Sequence, residues 1–457
     1  MYALLRAAAG VALRWYYRDI RIEGVERIPR GRPMLLVVNH PNALVDALLI
    51  GWTVPWRVLI TAKATLFRNR VAAALLHWLG VVPLRRASDE RRSGHGVDPR
   101  RNSDTLRAVR EALARGGTVL IFPEGKSHDE PSLAPLKTGA ARMALDARDA
   151  GVRGLVIVPI GLTFERKEAP RTRVLVQVGE VISMDAWQPG QRDGRGPEAL
   201  TADIDARLRA VTLNYASNDD AARTIRLAST IAALLGDVQP IGKTDRSLHV
   251  DAEIARRITE LSTQLTADER LRDRSDHLVN RLEALEREAC ERGILVDDIG
   301  IPVASGPALR FIMREGWLLA LGGPVALWGR LNHWLPFRAA RFLALRSPDG
   351  ASDPAMRTLV AGAAFVLITY FAQTAVVAAV WGDDWAALYL LSLPIAADIN
   401  FWLSERLVRS ARRARAFVTL RRDPALQRRL ATELDELRDE VIALDRAAGA
   451  SRPMAKL

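Results

Sequence analysis

The sequence has a single cysteine, Cys290, and only six lysines among its 65 basic residues. One cysteine cannot form an intramolecular disulfide or build a multi-cysteine zinc or iron–sulfur site. The arginine-rich net charge of +12 favours anionic partners such as phosphates, lipid headgroups or nucleic acid. A hydrophobic share of 49% excludes a disordered or collagen-like chain. The 457 residues predict two or three structural units.

The longest uncharged run lies near the C-terminus. Thr358–Trp381 carries no formal charge over 24 residues, more than the roughly 20 needed to cross a bilayer as a helix. A second apolar run, Trp385–Leu403, follows Gly382 and is interrupted by Pro394 and Asp398. Arginines flank the runs at positions Arg338, Arg341, Arg346, Arg357, Arg406, Arg409, Arg412, Arg413 and Arg415.

These flanks predict a membrane hairpin with both ends on the cytoplasmic side. The membrane-associated segment covers residues 310–405, with spans near 358–381 and 385–403. A soluble helical core is the alternative, because Asp398 weakens the second span. Within this segment, Trp317–Trp328 is too short to span and is predicted to be interfacial or re-entrant.

Residues 1–20 are apolar and interrupted by arginine. No small-residue cleavage site follows a clean apolar run, which argues against a signal peptide. The stretch predicts an amphipathic helix on the membrane surface, with Trp15, Tyr16 and Tyr17 as anchors.

Residues 21–200 alternate strand-like and helical stretches, which is typical of an α/β domain. We expect a mixed, mostly parallel sheet flanked by helices. Helices are predicted near Thr105–Ala114 and Gly139–Ala150, and a mobile polar loop over Ala87–Asp104. The predicted strands are Met34–Val38, Arg57–Thr61, Val81–Leu84, Thr118–Phe122, Leu155–Gly161 and Arg173–Val178.

Residues 201–300 are predicted to be helical, because they are dense in Arg and Glu and poor in strand formers. A C-terminal amphipathic helix over 423–447 begins with Asp423 as N-cap and Pro424 at its first position. Its apolar residues are Leu426, Leu430, Leu434, Leu437, Val441 and Leu444. Their spacing suits a short coiled coil or packing on the protein's own surface.

The stretch with the clearest chemical content begins where the first predicted strand ends, at Asn39-His40. Asp46, about one helical turn further on, can fold back towards His40. A carboxylate on one imidazole nitrogen favours the imidazolium that forms when the other nitrogen takes a proton. The pair suits a general base, although taken alone a His and an Asp six residues apart are a weak signal that a structural loop histidine explains better. No protein nucleophile lies nearby in the sequence, so the attacking hydroxyl would belong to a substrate.

Two other predicted strands end in residues that suit an anionic ligand. Gly80 to Arg86 ends in the pair Arg85-Arg86, and Phe122 to Ser127 contains a glycine and a hydroxyl that follow a buried strand. Turns of this kind expose backbone N–H groups to phosphate, and Lys137 follows downstream. Strand ends in an open α/β sheet are where ligands bind.

Together these residues resemble the glycerolipid acyltransferases of the phosphatidate-synthesis type. Four family motifs are matched in order over residues 35–160. They fall on Asn39, His40 and Asp46; on Gly80, Pro83 and Arg85 or Arg86; on Phe122, Pro123, Glu124, Gly125 and Ser127; and on Val158, Pro159 and Ile160. The usual family spacing has four residues between His and Asp, whereas this chain has five, which a turn at Pro41-Asn42 could absorb.

The resemblance implies acyl transfer from acyl-CoA or acyl-acyl carrier protein to a hydroxyl of glycerol-3-phosphate or 1-acylglycerol-3-phosphate. His40 would be the base and Asp46 its orienting partner. The residues expected to bind the acceptor and its phosphate are Asn39, Arg85, Arg86, Glu124, Gly125, Ser127 and Lys137. Gly80, Pro83, Phe122, Pro123 and Pro159 support the motifs. No metal or redox cofactor is expected, and the lipid bilayer is an expected partner.

Two alternatives stay open at this point. The acceptor could be another lipid, or the chain could be an inactive lipid-binding relative, although His40, Asp46 and Glu124 are all present. A nucleic-acid binder should interleave basic and aromatic residues on one face, which this chain does not.

Other histidines, including His128, have no carboxylate arrangement that suggests catalysis. The arginine bias predicts a bacterial origin, an inner-membrane location and a site facing the cytoplasm.

Overall fold

The computed structural model describes residues 2–63, 82–84, 99–167, 169–189, 196–236, 248–265, 268–345, 354–448 and 454. The chain divides into two compact units. The first consists chiefly of the residues up to Asn214, and the second of residues 215–348 and 360–457. The predicted loop over Ala87–Asp104 lies mostly outside the described residues, except that its last residues belong to a helix beginning at Pro99.

The first unit is built on an eight-stranded sheet. Its strands are β1 (Asp19–Glu23), β2 (Met34–Val38), β3 (Val58–Lys63), β4 (Val82–Leu84), β5 (Thr118–Ile121), β6 (Val156–Phe164), β7 (Arg173–Val178) and β8 (Ile182–Ser183). They lie in the order β1-β7-β6-β2-β5-β3-β4, and β8 pairs with β6. Among these pairs, only β6–β7 and β6–β8 are antiparallel. The predicted mixed, mostly parallel sheet is confirmed.

Helices cover both faces of this sheet. They are α1 (Tyr2–Tyr16), α2 (Ala43–Thr53), α3 (Pro99–Ala114), α4 (Gly139–Asp149) and α5 (Gly196–Val211). All five residues of β2 are buried, the continuous apolar pattern of a parallel strand covered on both sides. Leu35 and Val37 enter a core with α3, α4 and α5, whereas Met34, Leu36 and Val38 enter a core with α2.

Pro159 lies inside β6, where a proline normally disrupts the hydrogen-bond ladder. β6 pairs with β8 through Val156 and Ile157, and with β7 from Ile160 onwards. Pro159 therefore falls where β6 changes partners, and its carbonyl accepts a hydrogen bond from Gly179 N–H at 2.8 Å.

The N-terminal helix differs from its prediction as a membrane-surface anchor. The helix forms, but Tyr16 and Tyr17 are only 6% and 1% exposed. They pack with Leu13 against Val45 and Leu49 of α2. These two aromatic side chains are core residues because α1 ends against the sheet, where β1 follows it. β1 has a mixed burial pattern and no strand was predicted there.

The second unit is helical. Its helices are α6 (Asn218–Leu235), α7 (Leu248–Leu265), α8 (Glu269–Glu291), α9 (Ser305–Leu345), α10 (Pro354–Trp381), α11 (Asp383–Arg422) and α12 (Pro424–Ala447). The predicted helical region began at 201, but α5 belongs to the first unit, because Leu200, Ile204 and Leu208 complete its core.

The C-terminal helix α12 begins as predicted. Pro424 is at its first turn, and the Asp423 carboxylate accepts the N–H of Leu426 at 2.9 Å. The six predicted apolar residues are all buried. Ion pairs from Arg281 on α8 to Glu436 and Glu440 show that α12 packs on the chain's own surface.

Within the part of the chain that the structure describes, two helices are long and apolar enough to cross a membrane. In the most apolar stretch of α10, within Gly362–Trp381, 11% of the residues are buried, and in the most apolar stretch of α11 the share is 28%. Gly382 joins them with a φ of +90°, at the predicted break. Such exposed apolar surface is typical of a membrane contact.

The prediction that Trp317–Trp328 forms a separate short segment is wrong. The stretch is part of the 41-residue helix α9. Glu315 of α9 accepts hydrogen bonds from Arg406 of α11. The backbone of Ala396 approaches Gly329 so closely that a Cβ on this glycine would lie 2.2 Å from the Ala396 carbonyl oxygen. α9 therefore packs on α11 both before and after the apolar stretch Trp317–Trp328.

Replacing Gly161 of β6 by alanine should destabilise the first unit. Its Cβ would lie 1.9 Å from the carbonyl oxygen of Val211, so α5 must move away from the sheet. We expect a loss of about 2–3 kcal/mol in unfolding free energy. Gly139→Ala is the matched control, because nothing lies within 4 Å of its added Cβ. Thermal unfolding in detergent measures both variants; equal midpoints would contradict the close packing.

Candidate active site

Three adjacent strands bring the predicted site residues to one edge of the sheet. β2 pairs in parallel with both β5 and β6, so the residues that follow β2 and β5 meet at the same edge. Asn39 and His40 follow β2, and Phe122 to Ser127 follow β5. Pro83 lies on β4, whereas Gly80, Arg85 and Arg86 lie outside the described residues.

His40 and Asp46 form a hydrogen-bonded pair. Nδ1 of His40 lies 3.0 Å from Oδ2 of Asp46, and the Asp46 side chain is fully buried. Because the carboxylate accepts the Nδ1 proton, Nε2 of the neutral ring has a free lone pair. No described residue hydrogen bonds to Nε2. The ring stacks on Phe122, with centroids 3.8 Å apart and planes 12° apart, so its orientation is set from two directions.

A turn absorbs the additional residue between His40 and Asp46, as predicted. α2 begins only at Ala43, which has a φ of +40°. The N–H of Asn42 donates to Asp46 Oδ2 at 2.7 Å. The same carboxylate oxygen therefore contacts both the turn and the imidazole, and the longer spacing still brings Asp46 to His40.

Glu124 links the two loops of the site. Its Oε1 accepts the backbone N–H of His40 at 2.7 Å, and its Oε2 accepts the N–H of Ala134 at 2.8 Å. His128 Nε2 also contacts Oε2. We expected Glu124 to contact the acceptor, but the residue is only 3% exposed and its carboxylate is occupied by these protein groups. The geometry gives it a supporting position behind His40.

His128 is a site residue that the sequence analysis missed. Its Nδ1 accepts the backbone N–H of Glu130 at 3.2 Å, so in the neutral ring the proton is on Nε2, facing Glu124. The available signal was its position four residues after Glu124, within the same turn.

Asn39 and Ser127 also hold the loops together. The Asn39 amide donates to the carbonyl of Leu162 at 3.0 Å and accepts the Leu162 N–H at 2.7 Å. This pair fixes the end of β2 to β6. The Ser127 hydroxyl accepts the N–H of Ala43 at 3.2 Å, which connects the third motif to the start of α2. Both were expected to contact the acceptor.

Gly125 and Lys137 lie against each other. Gly125 has a φ of +77°, and a Cβ there would lie 2.7 Å from Nζ of Lys137. The Lys137 N–H donates to the carbonyl of Pro123 at 2.9 Å. The exposed ammonium is thereby held over the glycine turn that follows β5, where a phosphate could reach it.

Lys167 is a second cation at this edge, and the sequence analysis did not select it. Its Nζ lies 3.4 Å from the carbonyl oxygen of Pro41 and 3.5 Å from that of His128, and it contacts the carboxylate of the exposed Asp129. Its ammonium thus bridges the loops after β2 and β5. Its position just after β6, in a chain of six lysines, was the signal.

Glu165 anchors the loop that carries Lys167. Burial alone raises the pKa of Glu165, but the hydrogen bonds and positive charge of Arg173, with the charge of Arg18, outweigh burial and lower the pKa below its usual value. Glu165 is therefore ionised at neutral pH and holds β7 beside β6 through Arg173, 3.2 Å away.

Among the described residues, no group of three or more His, Cys, Asp or Glu side chains is arranged to hold a metal ion. The site contains the His40 imidazole, which the buried Asp46 carboxylate holds, the ammonium groups of Lys137 and Lys167, and the glycine turn at Gly125. The arrangement can remove a proton from a hydroxyl beside an anionic group.

Comparison with known proteins assigns the first unit to a family. Residues 19–163 match the sequence profile of the family described as Acyltransferase. The first unit therefore carries a domain of the acyltransferase family, which confirms the resemblance read from the four motifs.

Relatives that are named as glycerol-3-phosphate or 1-acyl-sn-glycerol-3-phosphate acyltransferases match the chain over part of its length. It is 42% identical over 85 residues to glycerol-3-phosphate O-acyltransferase 2 of Saccharomyces cerevisiae, covering 18% of this chain and 11% of that protein. It is 29% identical over 163 residues to the chloroplastic 1-acyl-sn-glycerol-3-phosphate acyltransferase LPAT1 of Arabidopsis thaliana, covering 35% of this chain and 40% of that protein. The chain thus spans less than half of each. Both relatives are eukaryotic, so they do not support the predicted bacterial origin.

A crystal structure of the 1-acyl-sn-glycerophosphate acyltransferase PlsC from Thermotoga maritima is also similar. It is 21% identical, with a TM-score of 0.35, over 46% of this chain and 78% of that one.

Glu124→Gln should lower the stability of the first unit. Both carboxylate oxygens of Glu124 accept backbone N–H groups, and the NH₂ group of a glutamine cannot accept one. One buried charge-assisted hydrogen bond is therefore lost, at a cost of about 2 kcal/mol in unfolding free energy. Glu130→Gln is the control, because Glu130 is exposed and only its backbone contacts His128. Thermal unfolding compares them; a Glu124→Gln midpoint equal to the control's would show that the bridge contributes nothing.

Proposed function

We propose that the chain is a membrane-bound O-acyltransferase of glycerolipid synthesis. It transfers an acyl group from an acyl thioester to a hydroxyl of glycerol-3-phosphate or 1-acylglycerol-3-phosphate. The observation that carries the proposal is the pair formed by His40 and Asp46, 3.0 Å apart, inside the matched acyltransferase domain.

The pair supplies general-base catalysis. Nε2 of His40 takes the proton of the acceptor hydroxyl as its oxygen attacks the thioester carbonyl. The tetrahedral intermediate then collapses, the C–S bond breaks, and the imidazolium returns its proton to the leaving thiolate. The buried Asp46 carboxylate stabilises the imidazolium between these steps. General-base catalysis of this kind is typically worth ~10²–10⁴-fold in rate, and no protein nucleophile is needed.

The acceptor's phosphate would bind at the loop edge beside His40. Lys137 lies over the Gly125 turn, and Lys167 bridges the loops after β2 and β5. Arg85 or Arg86, which the family resemblance places at the end of β4, would add a planar guanidinium. Holding the phosphate fixes the hydroxyl relative to Nε2, which matters because the reaction joins two substrates.

The two acceptors share the phosphate and differ in an acyl chain. The relatives include a glycerol-3-phosphate O-acyltransferase and a 1-acyl-sn-glycerol-3-phosphate acyltransferase by name. The donor is acyl-CoA or acyl-acyl carrier protein.

For the membrane, we propose that α10 and α11 form a hairpin in the inner, cytoplasmic membrane. Its arginine-rich ends face the cytoplasm.

Acyl transfer by the purified full chain tests the chemistry. We expect product from at least one acceptor with long-chain acyl-CoA or acyl-acyl carrier protein, and a loss of ~100-fold or more in His40→Ala. Asp46→Asn should also lose activity, because an amide stabilises the imidazolium less than a carboxylate does. His277→Ala, an exposed histidine of α8, is the control. An inactive wild-type chain with both acceptors and both donors would indicate another acceptor or a lipid-binding protein.

The single cysteine allows a test of the hairpin. Cys290 is exposed on α8, and Asp383 lies at the turn between α10 and α11. In sealed vesicles, a membrane-impermeant maleimide should label native Cys290 from the cytoplasmic side. It should label Asp383→Cys, placed in a Cys290→Ser chain, only from the opposite side. Labelling of both positions from one side would contradict a spanning hairpin.

A further inference from the structure

Asn42 occupies the N-cap position of α2 but does not cap it. An asparagine there usually accepts an N–H from the first helical turn, which stabilises the helix by about 1 kcal/mol. Here the Asn42 side chain makes no such bond. Its amide instead donates to the hydroxyl of Tyr17 at 3.1 Å and to the carbonyl of Lys167 at 3.3 Å.

The two side chains of this contact are withdrawn from solvent. Asn42 and Tyr17 are each 1% exposed, and the Tyr17 ring packs on Phe164 with centroids 5.8 Å apart. Buried amides and hydroxyls without partners are costly, so a buried hydrogen bond between them restricts where both chains can lie. The end of α1 and the loop after β6 therefore hold Asn42 from two sides.

The turn that Asn42 occupies is the one that accommodates the five-residue spacing. Ala43 has a φ of +40°, a left-handed conformation that a residue with a side chain adopts only when its surroundings enforce it. The backbone N–H of Asn42 donates to Asp46 Oδ2 at 2.7 Å, the oxygen that also contacts His40. A shift of Asn42 would thus move the carboxylate relative to the imidazole.

We propose that Asn42 and Tyr17 are positioning residues for the His40–Asp46 pair: the Asn42 amide, held by the Tyr17 hydroxyl, keeps the strained turn in the one geometry that brings Asp46 to His40. The residue that follows the N-terminal helix then contributes to the geometry of the site, although it supplies no group to the substrate. This inference rests on the proposed acyl transfer, and it assigns the end of α1 a role in kcat.

Asn42→Ser and Tyr17→Phe test the proposal by steady-state kinetics on the full chain. Serine is as good an N-cap as asparagine but cannot reach Tyr17, and phenylalanine keeps the ring of Tyr17 and removes its hydroxyl. We expect kcat to fall ~10-fold or more in each variant, with KM for donor and acceptor unchanged within about twofold. The double variant should be little worse than Asn42→Ser, because both changes remove the same hydrogen bond.

Tyr16→Phe is the matched control. Tyr16 precedes Tyr17 and packs on its ring, but its hydroxyl does not bond to Asn42, so this variant should keep wild-type kcat. Thermal unfolding midpoints of all variants show whether each folds. A folded Asn42→Ser or Tyr17→Phe chain with wild-type kcat, or one with raised KM and unchanged kcat, overturns the inference. Failure of the proposed function itself is separate, because it appears as an inactive wild-type chain.

Discussion

The burial of one carboxylate determines the geometry of the candidate site. Asp46 is 0% exposed, and taking a carboxylate out of water costs several kcal/mol unless hydrogen-bond donors replace the solvent. The imidazole of His40 and the backbone N–H of Asn42 are two such donors, and both precede the helix that carries the carboxylate. The path from β2 into α2 is therefore restricted to turns that direct His40 and Asn42 back over the first turn of α2. Glu124 follows the same principle on the neighbouring loop, where the carboxylate of this 3% exposed residue accepts N–H groups from two segments.

The parts of the fold that depend on local pattern could be predicted from the sequence. Met34–Val38 and Arg173–Val178 have the predicted bounds, because continuous apolar runs between turn residues mark buried strands. β1 was missed although Asp19 to Glu23 alternates charged and apolar residues, a pattern typical of a half-buried strand; its parallel pairing with the distant β7 has no local signal. Tyr16 and Tyr17 have the composition of membrane anchors, and their burial depends on α2, which is distant in sequence.

The site shows the same division. The motifs placed His40, Asp46, Glu124 and Ser127 near one another, because parallel neighbouring strands end at one edge. They did not show which side chains face the substrate and which hold the loops. Asn39 and Glu124 bond to protein groups, and this depends on register between β2 and β6 and on the path of the loop after β5. Lys167 and His128 belong to no matched motif position, so only three-dimensional proximity reveals them.

The position of β1 at the far edge of the sheet has a consequence for synthesis. Asp19 pairs with Arg173, so the two partners are 154 positions apart along the chain. At about 5–20 residues per second on the ribosome, β1 waits about 8–30 s for β7 to emerge. Over this interval the buried face of α1, which includes Leu13 and Tyr16, is without part of its final packing surface. α1 is synthesised before the rest of its unit and is thus among the last segments of that unit to be enclosed, so a chaperone or the nearby membrane surface has seconds in which to bind it.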